Sequence, residues 1–232
     1  MVTNLAYFYE SSKKVRGGKF VWVKDSNGEM RGNVLLGGTI LNPKKGFDHL
    51  YAAQLVQYTP GNGCLIFRSF RVAQIASGSA TSIVIDGDGA TSIVIDGDGY
   101  SDVPEVGMLI MKAPSAANGT GQSAKVTAVV YDETRNVFTV HVDVSLSVSV
   151  NDIIVEAAGN AASATATVLV TNPNTFIEAD RDLLPTEGYG IENANYSIST
   201  VYNKQAWIAR MQPLPNYVLA KNRSYIDGIF WI

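Results

Sequence analysis

The chain has 232 residues, of which 46% are hydrophobic and 17% charged, and its formal net charge is -3. A chain of this length and hydrophobic content can form one domain or two small ones, and its composition excludes a disordered or fibrous chain. Lys and Arg are scattered along a weakly acidic sequence, which argues against nucleic acid or an anionic membrane as a partner. The single cysteine, Cys64, excludes an intramolecular disulfide and a zinc site built on thiolates.

The beginning of the chain predicts an arm. Residues 1–18 carry the aromatic run Tyr7, Phe8 and Tyr9, followed by a small basic stretch without a clear period. Such a segment orders only against the rest of the chain or a neighbour, and a frayed terminus is the alternative. The segment lacks the basic and apolar regions of a secretory signal, and nowhere do eighteen apolar residues run together. We therefore expect a soluble protein made in a cytoplasm.

Residues 19–64 predict a first β segment. Lys19–Lys24 (KFVWVK) has strand composition and is followed by Asn27-Gly28, a pair that favours hairpin turns. Phe47–Gln54 has the spacing of a short helical turn, and residues 55–58 then predict a strand that ends at the turn sequence Pro-Gly-Asn-Gly.

A ten-residue duplication occupies residues 80–99, where ATSIVIDGDG occurs twice without a break. Each copy joins an Ile-Val-Ile strand to an Asp-Gly turn sequence. Because the copies are identical and their period is even, a second copy keeps the same side chains on the same face. We expect the two copies to form a projecting hairpin or an edge extension that the fold tolerates.

Residues 65–158 predict a central β-barrel or sandwich. The clearest hairpin joins Ala124–Tyr131 to Asn136–Val144 through a polar loop, with one face apolar and the other wet. A second, weaker repeat relates residues 103–113 (the first hook) to residues 148–157 (the second hook). Each hook consists of a short segment that leads into a turn, a small residue in the turn and an apolar strand after it. Two strand, hook and strand units that close on each other give a small barrel or sandwich.

The remaining chain divides into two parts. Residues 159–174 are rich in small residues and read as a linker or edge strand that ends at Asn172-Pro173. Residues 175–232 predict a β-rich C-terminal segment with strands at Tyr196–Tyr202 and Gln205–Met211. The fold class is thus mainly β: a small antiparallel barrel or sandwich with an N-terminal arm and a β-rich C-terminal segment.

The chemistry-bearing residues do not assemble into a known catalytic or metal motif. His49 and His141 stand outside any ligand or triad pattern, and we expect His141 on the solvent face of its hairpin. Cys64 precedes an apolar strand and is expected to be a small core residue. The sequence therefore predicts no catalytic residues, no cofactor site and no metal site.

Four aspartates in the duplication are the sharpest metal candidates: Asp86, Asp88, Asp96 and Asp98. A calcium loop needs oxygen ligands at its first, third and fifth positions, Gly at the sixth and Glu at the twelfth. Counted from Asp86, the fifth position is Ala90, the sixth is Thr91 and the twelfth is Gly97. We therefore expect these aspartates to serve turns.

The order of these parts resembles a known family. The succession of LVQYTPGNG, CLIFRSFRVAQI, the two hooks, the small-residue linker and the closing QPLPNYVLAKNRSYIDGIFWI is similar to the head fiber or capsid decoration (auxiliary) proteins of tailed phages, especially crAss-like and other Bacteroidetes phages. The likeness spans roughly residues 50–232 and is one of pattern and order. The duplication is not part of it. The resemblance implies a non-enzymatic virion structural protein on the capsid exterior, with the major capsid protein as partner.

The two chain ends are the expected interface of such a protein. Ile229, Phe230, Trp231 and Ile232 end the chain on four consecutive apolar residues, which a one-sided strand cannot bury on a single face. Together with Tyr7, Phe8 and Tyr9 they predict contacts with another subunit or with the capsid shell, because aromatic anchors are enriched at interfaces. We expect a homo-oligomer that binds neither nucleic acid nor membrane.

Two other classes of function remain open from the residues alone. A carbohydrate-binding or adhesive β-domain would present clustered aromatic side chains, for which Tyr189, Tyr196 and Tyr202 are the candidates. A hydrolase would depend on a carboxylate that the sequence does not single out.

Overall fold

The computed structural model describes the following residues: 33–37, 40–44, 48–59, 62–75, 82–86, 104–132, 134–135, 137–161, 163–177, 181–183, 197–201 and 211–225. They belong to two compact units. The sheet unit comprises residues 1–67, 173–210 and 222–232, and the barrel unit comprises residues 68–172 and 211–221.

The sheet unit is built on antiparallel strands. Its strands are β1 (Asn33–Gly37), β2 (Asp48–Leu50), β3 (Leu55–Thr59), β4 (Gly63–Ile66), β13 (Thr175–Ile177), β14 (Arg181–Leu183) and β15 (Ser197–Val201). Five of them form one sheet in the order β1-β15-β13-β3-β4, and β14 pairs with β2. Residues distant in sequence therefore meet, as where Phe176 lies between Leu55 and Val201.

A small apolar core lies in this unit. Its buried members are Ile40, Leu50, Val56, Cys64, Ile66 and Ile177, and Tyr58 packs against them. Two asparagine side chains close the strand ends nearby. Asn42 donates from Nδ2 to the Ile66 carbonyl and accepts from the Ile66 amide, at 2.9 and 2.8 Å. The Asn174 side chain makes the same pair of hydrogen bonds with the main chain of Tyr58, at 2.9 and 2.8 Å.

The helical turn expected over Phe47–Gln54 is wrong. The chain forms β2 and then a tight turn, in which the Gln54 amide donates to the Tyr51 carbonyl at 3.0 Å and Ala53 has φ of 65°. The fully buried side chain of Gln54 accepts a hydrogen bond from the Tyr51 amide at 3.1 Å, so this main-chain donor has its partner within the turn itself. Pairing of Leu50 with Arg181 overrides the local helical spacing.

The barrel unit contains a closed ring of six antiparallel strands. They are β5 (Ser69–Ile75), β6 (Ser82–Asp86), β7 (Leu109–Lys112), β9 (Ser123–Asp132), β10 (Val137–Val142) and β11 (Ile153–Glu156). The order β10-β6-β5-β11-β7-β9 returns to its first strand, so every strand of the ring is paired on both sides. The short β8 (Thr120–Gly121) and β12 (Ala166–Thr167) pair outside this ring. The mainly β antiparallel class predicted from the sequence is confirmed.

The ring consists of two equivalent halves, β5-β6-β7 and β9-β10-β11. The pairs of β7 with β9 (Leu109–Lys125, Ile110–Ala124, Met111–Ser123) repeat those of β11 with β5 (Ile153–Arg71, Ile154–Phe70, Val155–Ser69). The register shift beyond Val72 in β5 recurs beyond Val126 in β9. This equivalence confirms the predicted closing of two strand, hook and strand units.

The two hooks have the same hydrogen bonds. In the first, Met108 donates to Glu105 at 3.0 Å across a turn in which Gly107 has φ of 97°. In the second, Asp152 donates to Ser149 at 3.0 Å and Asn151 has φ of 71°. Gly and Asn are the residues that most readily adopt this left-handed conformation, which explains the small turn residue of each hook.

The outer face of one part of the barrel is covered by its own chain. Ser69, Val155, Met111 and Ser123 lie side by side on four paired strands, and each is at most 1% exposed. The Ser123 hydroxyl donates to the Gly159 carbonyl at 2.8 Å, and the Ser69 hydroxyl donates to the Pro213 carbonyl at 2.6 Å. The small-residue stretch after β11 and the segment from Met211 are therefore packed parts of the barrel unit.

A helix, α1 (Asn216–Tyr225), follows Pro215. Its Tyr217 side chain is buried and donates to the Val170 carbonyl at 3.2 Å, and this burial raises the pKa of Tyr217. A helix was not expected in the C-terminal segment, since the sequence there predicted strands. Strand β15 confirms the strand expected at Tyr196–Tyr202.

The first copy of the duplication is not a projecting hairpin. It supplies β6, which pairs with β5 on one side and β10 on the other, so this copy is part of the closed ring. The expectation of an edge or loop tip was wrong for it because ring closure requires a partner for both free edges. The second copy, the arm at residues 1–18 and the strand expected at Lys19–Lys24 lie outside the described residues.

Candidate functional site

A cleft of about 330 Å³ opens on the barrel unit. This volume is near the lower end of the range for small-ligand sites. Its lining residues come from the end of β7, from β8 and from the chain after β10: Lys112, Ala113, Pro114, Ser115, Thr120, Gly121, Gln122, Leu146 and Ser147. No aromatic side chain is among them.

The wall of the cleft is shaped by a tight turn. After β7 the chain turns back at residues 115–119, where the Gly119 amide donates to the Ala116 carbonyl at 2.9 Å. A Cβ atom at Gly119 would lie 2.7 Å from Cβ of Pro114, so a side chain would not fit without a shift of the backbone. Leu146 is fully buried and is one of the apolar residues that line the cleft.

The charged residue that lines the cleft, Lys112, forms an ion pair. The Lys112 ammonium lies 2.7 Å from Oδ2 of Asp152, and the two side chains are 50% and 21% exposed. The same carboxylate oxygen accepts from the Ser149 amide at 2.6 Å, so it also closes the turn of the second hook. The charge of Lys112 is thus balanced within the protein, and the cleft has no net positive charge to offer an anion.

The other half of the barrel carries a different ion pair at the equivalent place. When the two halves are aligned, Glu156 occupies the position equivalent to Lys112. Arg68, just before β5, is equivalent to Gln122, just before β9. Arg68 donates from Nη1 to Oε2 of Glu156 at 3.2 Å, and its side chain is 1% exposed. One half therefore ends in a buried guanidinium–carboxylate pair, whereas the other ends in the cleft.

The described carboxylates and amides mainly hold the main chain. Oδ1 of Asp132 accepts from the Thr134 and Arg135 amides in the β9–β10 loop, at 3.0 and 3.2 Å. Oδ1 of Asp143 accepts from the Lys125 amide at 2.7 Å. Together with Asp152, these side chains close turns and strand ends. Among the residues that the structure describes, no group of three or more His, Cys, Asp or Glu could hold a metal ion.

Among the residues that the structure describes, four large apolar side chains are about half exposed: Leu41, Val106, Val130 and Val150. Val106 and Val150 occupy the same position in the turns of the two hooks, where they are 54% and 51% exposed. The duplicated architecture thus presents two equivalent apolar tips, which are candidates for contact with a partner.

The interface residues predicted from the two chain ends lie outside the described residues. They are Tyr7, Phe8, Tyr9, Ile229, Phe230, Trp231 and Ile232. The same holds for Tyr189, Tyr196 and Tyr202, and for Asp88, Asp96 and Asp98. Their expected roles stay predictions.

Other single residues are placed by the structure. Cys64 is 1% exposed in the sheet-unit core, as expected, and this burial raises the pKa of its thiol to about 11. His141 is half-buried on β10, where it alternates with the buried Val140 and Val142, so it lies on the more exposed face of its hairpin, as predicted. His49 lies on β2 opposite Asp182, and Asp86 is the last residue of β6.

Sequence reasoning missed both ion pairs. The hook alignment contained a signal for them, because it sets Lys112 against Glu156, two opposite charges at one position of an otherwise apolar strand. The partners Arg68 and Asp152 could not be found that way, since each contact depends on which strands become neighbours.

Comparisons with protein-family models, with curated proteins and with solved structures gave no match for this chain. Among the described residues, no helix has both the length and the apolar character needed to cross a membrane.

Proposed function

We propose that this chain is a non-enzymatic virion structural protein that decorates or stabilises the exterior of a phage capsid, as a head fiber or auxiliary capsid protein. Its partner is the major capsid protein, and it acts as a homo-oligomer. The proposal rests on the resemblance of the sequence to such proteins and on the use of polar side chains in the described fold.

The observation that carries the proposal is the structural use of carboxylates. Asp132 and Asp143 accept from main-chain amides, Asp152 does so while paired with Lys112, and Glu156 is paired with the buried Arg68. Carboxylates bound in this way stabilise turns and strand ends. A rigid, internally closed β module suits a protein that must persist on a particle surface.

The apolar tips of the two hooks suit the same role. Val106 and Val150 stand half exposed on turns that are hydrogen-bonded to β9 and β5. Apolar side chains on such rigid turns can be buried against a partner with little loss of conformational entropy.

The test is binding of the purified full chain to capsids that lack it. We expect co-sedimentation with the capsids and a defined density on their outer surface by cryo-electron microscopy. Val106→Asp with Val150→Asp should lower occupancy, whereas Thr127→Asp, at an exposed polar position on β9, serves as the matched control. Absence of binding by the full chain would overturn the proposal.

A carbohydrate-binding or adhesive domain is the second candidate, and the cleft is the observation that favours it. Its lining includes residues with hydroxyl or amide groups (Ser115, Thr120, Gln122 and Ser147) and the apolar Leu146, and the charge of its Lys112 is balanced by Asp152. Such a lining suits a neutral polyol. A glycan array probed with the full chain tests it, with Gln122→Ala as the variant expected to lose any signal and Thr127→Ala as the control.

A further inference from the structure

We propose that the barrel exists in two interchangeable registers, in which either copy of the duplicated segment supplies strand β6. The inference begins from the identity of the copies. Residues 80–89 and 90–99 have the same sequence, so Ser82–Asp86 and Ser92–Asp96 are chemically the same strand. The place that β6 occupies between β5 and β10 cannot distinguish them by side chain.

The contacts of β6 set what either copy would meet. Ile85 pairs with Phe138 of β10 and with Val72 of β5, which are 5% and 0% exposed. Ile83 pairs with Val140, which is fully buried. Ile95 and Ile93 would stand opposite the same partners after a shift of ten residues. The pairing free energy of the strand is therefore equal in the two registers.

The registers then differ in the lengths of their connections. With the first copy in place, six residues (76–81) join β5 to β6 and eighteen (87–104) join β6 to the turn that starts at Glu105. With the second copy in place, the connections have sixteen (76–91) and eight (97–104) residues. Loop closure follows the three-halves power of length, which favours the first register by a factor of only about 1.3. Both registers are therefore expected at comparable populations.

The other half of the barrel shows that the shorter connection can close. In the two equivalent halves, Asp86 corresponds to Asp143 and Glu105 corresponds to Ser149. Only five residues (144–148) join Asp143 to Ser149. Eight residues are thus enough to lead from Asp96 to Glu105 in the second register.

Point variants test the proposal, because deletion cannot. Removal of residues 80–89 and removal of residues 90–99 produce one and the same chain. Ile85→Asp introduces a carboxylate at the strand position that pairs with the buried residues Phe138 and Val72, and a charge placed among buried apolar residues is costly. Ile95→Asp makes the same change in the other copy. The two single variants and the double variant form a matched set.

We expect both single variants to fold, each with a melting temperature close to that of the full chain, because the intact copy supplies β6. The double variant should lose the cooperative thermal transition. As a control, Ile85→Asp in the chain without residues 90–99 should fail like the double variant. Loss of folding in Ile85→Asp together with a silent Ile95→Asp would overturn the proposal, since only the first copy would then be able to form the strand.

A second measurement reports the populations in the folded chain. Ser82→Cys and Ser92→Cys are each labelled with a fluorinated thiol reagent, while the buried Cys64 is protected from the reagent. Fluorine NMR should show two signals for each variant, with complementary intensities: the environment that is more populated for residue 82 is the less populated one for residue 92. One signal per variant, different between the two, would contradict exchange.

Discussion

Ala113 and Ala157 donate equivalent main-chain hydrogen bonds between the neighbouring strands β7 and β11 of the barrel unit. Ala113 donates to the Ile153 carbonyl and Ala157 to the Leu109 carbonyl, both at 2.8 Å. Each alanine thus follows the strand of one hook and bonds to the beginning of the strand of the other. The two hooks close on each other through equivalent contacts, as expected of two related halves.

Deletion of residues 90–99 is expected to change the free energy of unfolding by less than about 1 kcal/mol. The connection from β6 to Glu105 shortens from eighteen residues to eight, which lowers the entropy lost on loop closure. Urea unfolding followed by circular dichroism measures the change. A loss of several kcal/mol, the scale of a large core cavity, would show that both copies are needed together.

Arg68→Met is expected to lower the free energy of unfolding by about 3–5 kcal/mol, because it removes the buried guanidinium that forms an ion pair with the largely buried carboxylate of Glu156. Lys112→Met removes the cation of the half-exposed pair with Asp152 and should cost at most about 1 kcal/mol. The contrast is measured by urea unfolding of both variants. Equal losses would mean that burial does not separate the two pairs.

Stability is expected to fall in alkaline solution through Cys64. Burial raises the pKa of its thiol from 9.0 to about 11. Between these values the unfolded chain releases the thiol proton and the folded chain keeps it, so the contribution is full below pH 9 and is lost as the pH rises towards 11. Urea midpoints between pH 8 and 10.5 should fall less steeply in Cys64→Ala than in the full chain. Equal slopes would contradict a protonated thiol in the folded core.

Calcium is not expected to raise the melting temperature. Asp86 ends β6, and its counterpart in the other half, Asp143, accepts from a main-chain amide at 2.7 Å. We expect the aspartates of the duplication to serve turns in the same way. A ligand that binds only the folded chain raises the melting temperature, so a calcium-dependent rise that a chelator reverses would contradict this prediction.

Removal of the first eighteen residues, or of Ile229–Ile232, is expected to reduce oligomerisation or capsid occupancy more than it disturbs the barrel. Both ends carry aromatic and apolar side chains of the kind that anchor interfaces. Light scattering and incorporation into particles measure assembly, and circular dichroism is the control for folding. Full incorporation of both truncated chains would contradict the prediction, and loss of the barrel on C-terminal truncation would place that segment in the core.

Local sequence patterns were enough to predict much of the barrel. Alternation of apolar and polar residues in Val137–Val142 and the polar loop before it predicted the β9–β10 hairpin, because period two and turn residues act between near neighbours. The repeat of the hooks predicted their equivalence, since both need a residue that tolerates positive φ before an apolar strand, Gly107 in one and Asn151 in the other.

The same local patterns failed where a distant partner decided the outcome. Gln54 lies in a tight turn because β2 pairs with β14, more than a hundred residues away in sequence. Tyr217 of the C-terminal helix is buried and donates a hydrogen bond to the Val170 carbonyl. No pattern within the C-terminal segment indicates this contact.

The sequence by itself determined that β9 and β10 form a hairpin, where the hooks turn and that Cys64 is buried, because these follow from side-chain alternation, turn chemistry and hydrophobicity along a few residues. Only the tertiary structure decided that β6 and β10 close the ring, that Arg68 meets Glu156 and that residues from Met211 cover Ser69. The physical reason is that strand edges and buried charges must find partners, and the identity of the partner depends on the whole chain.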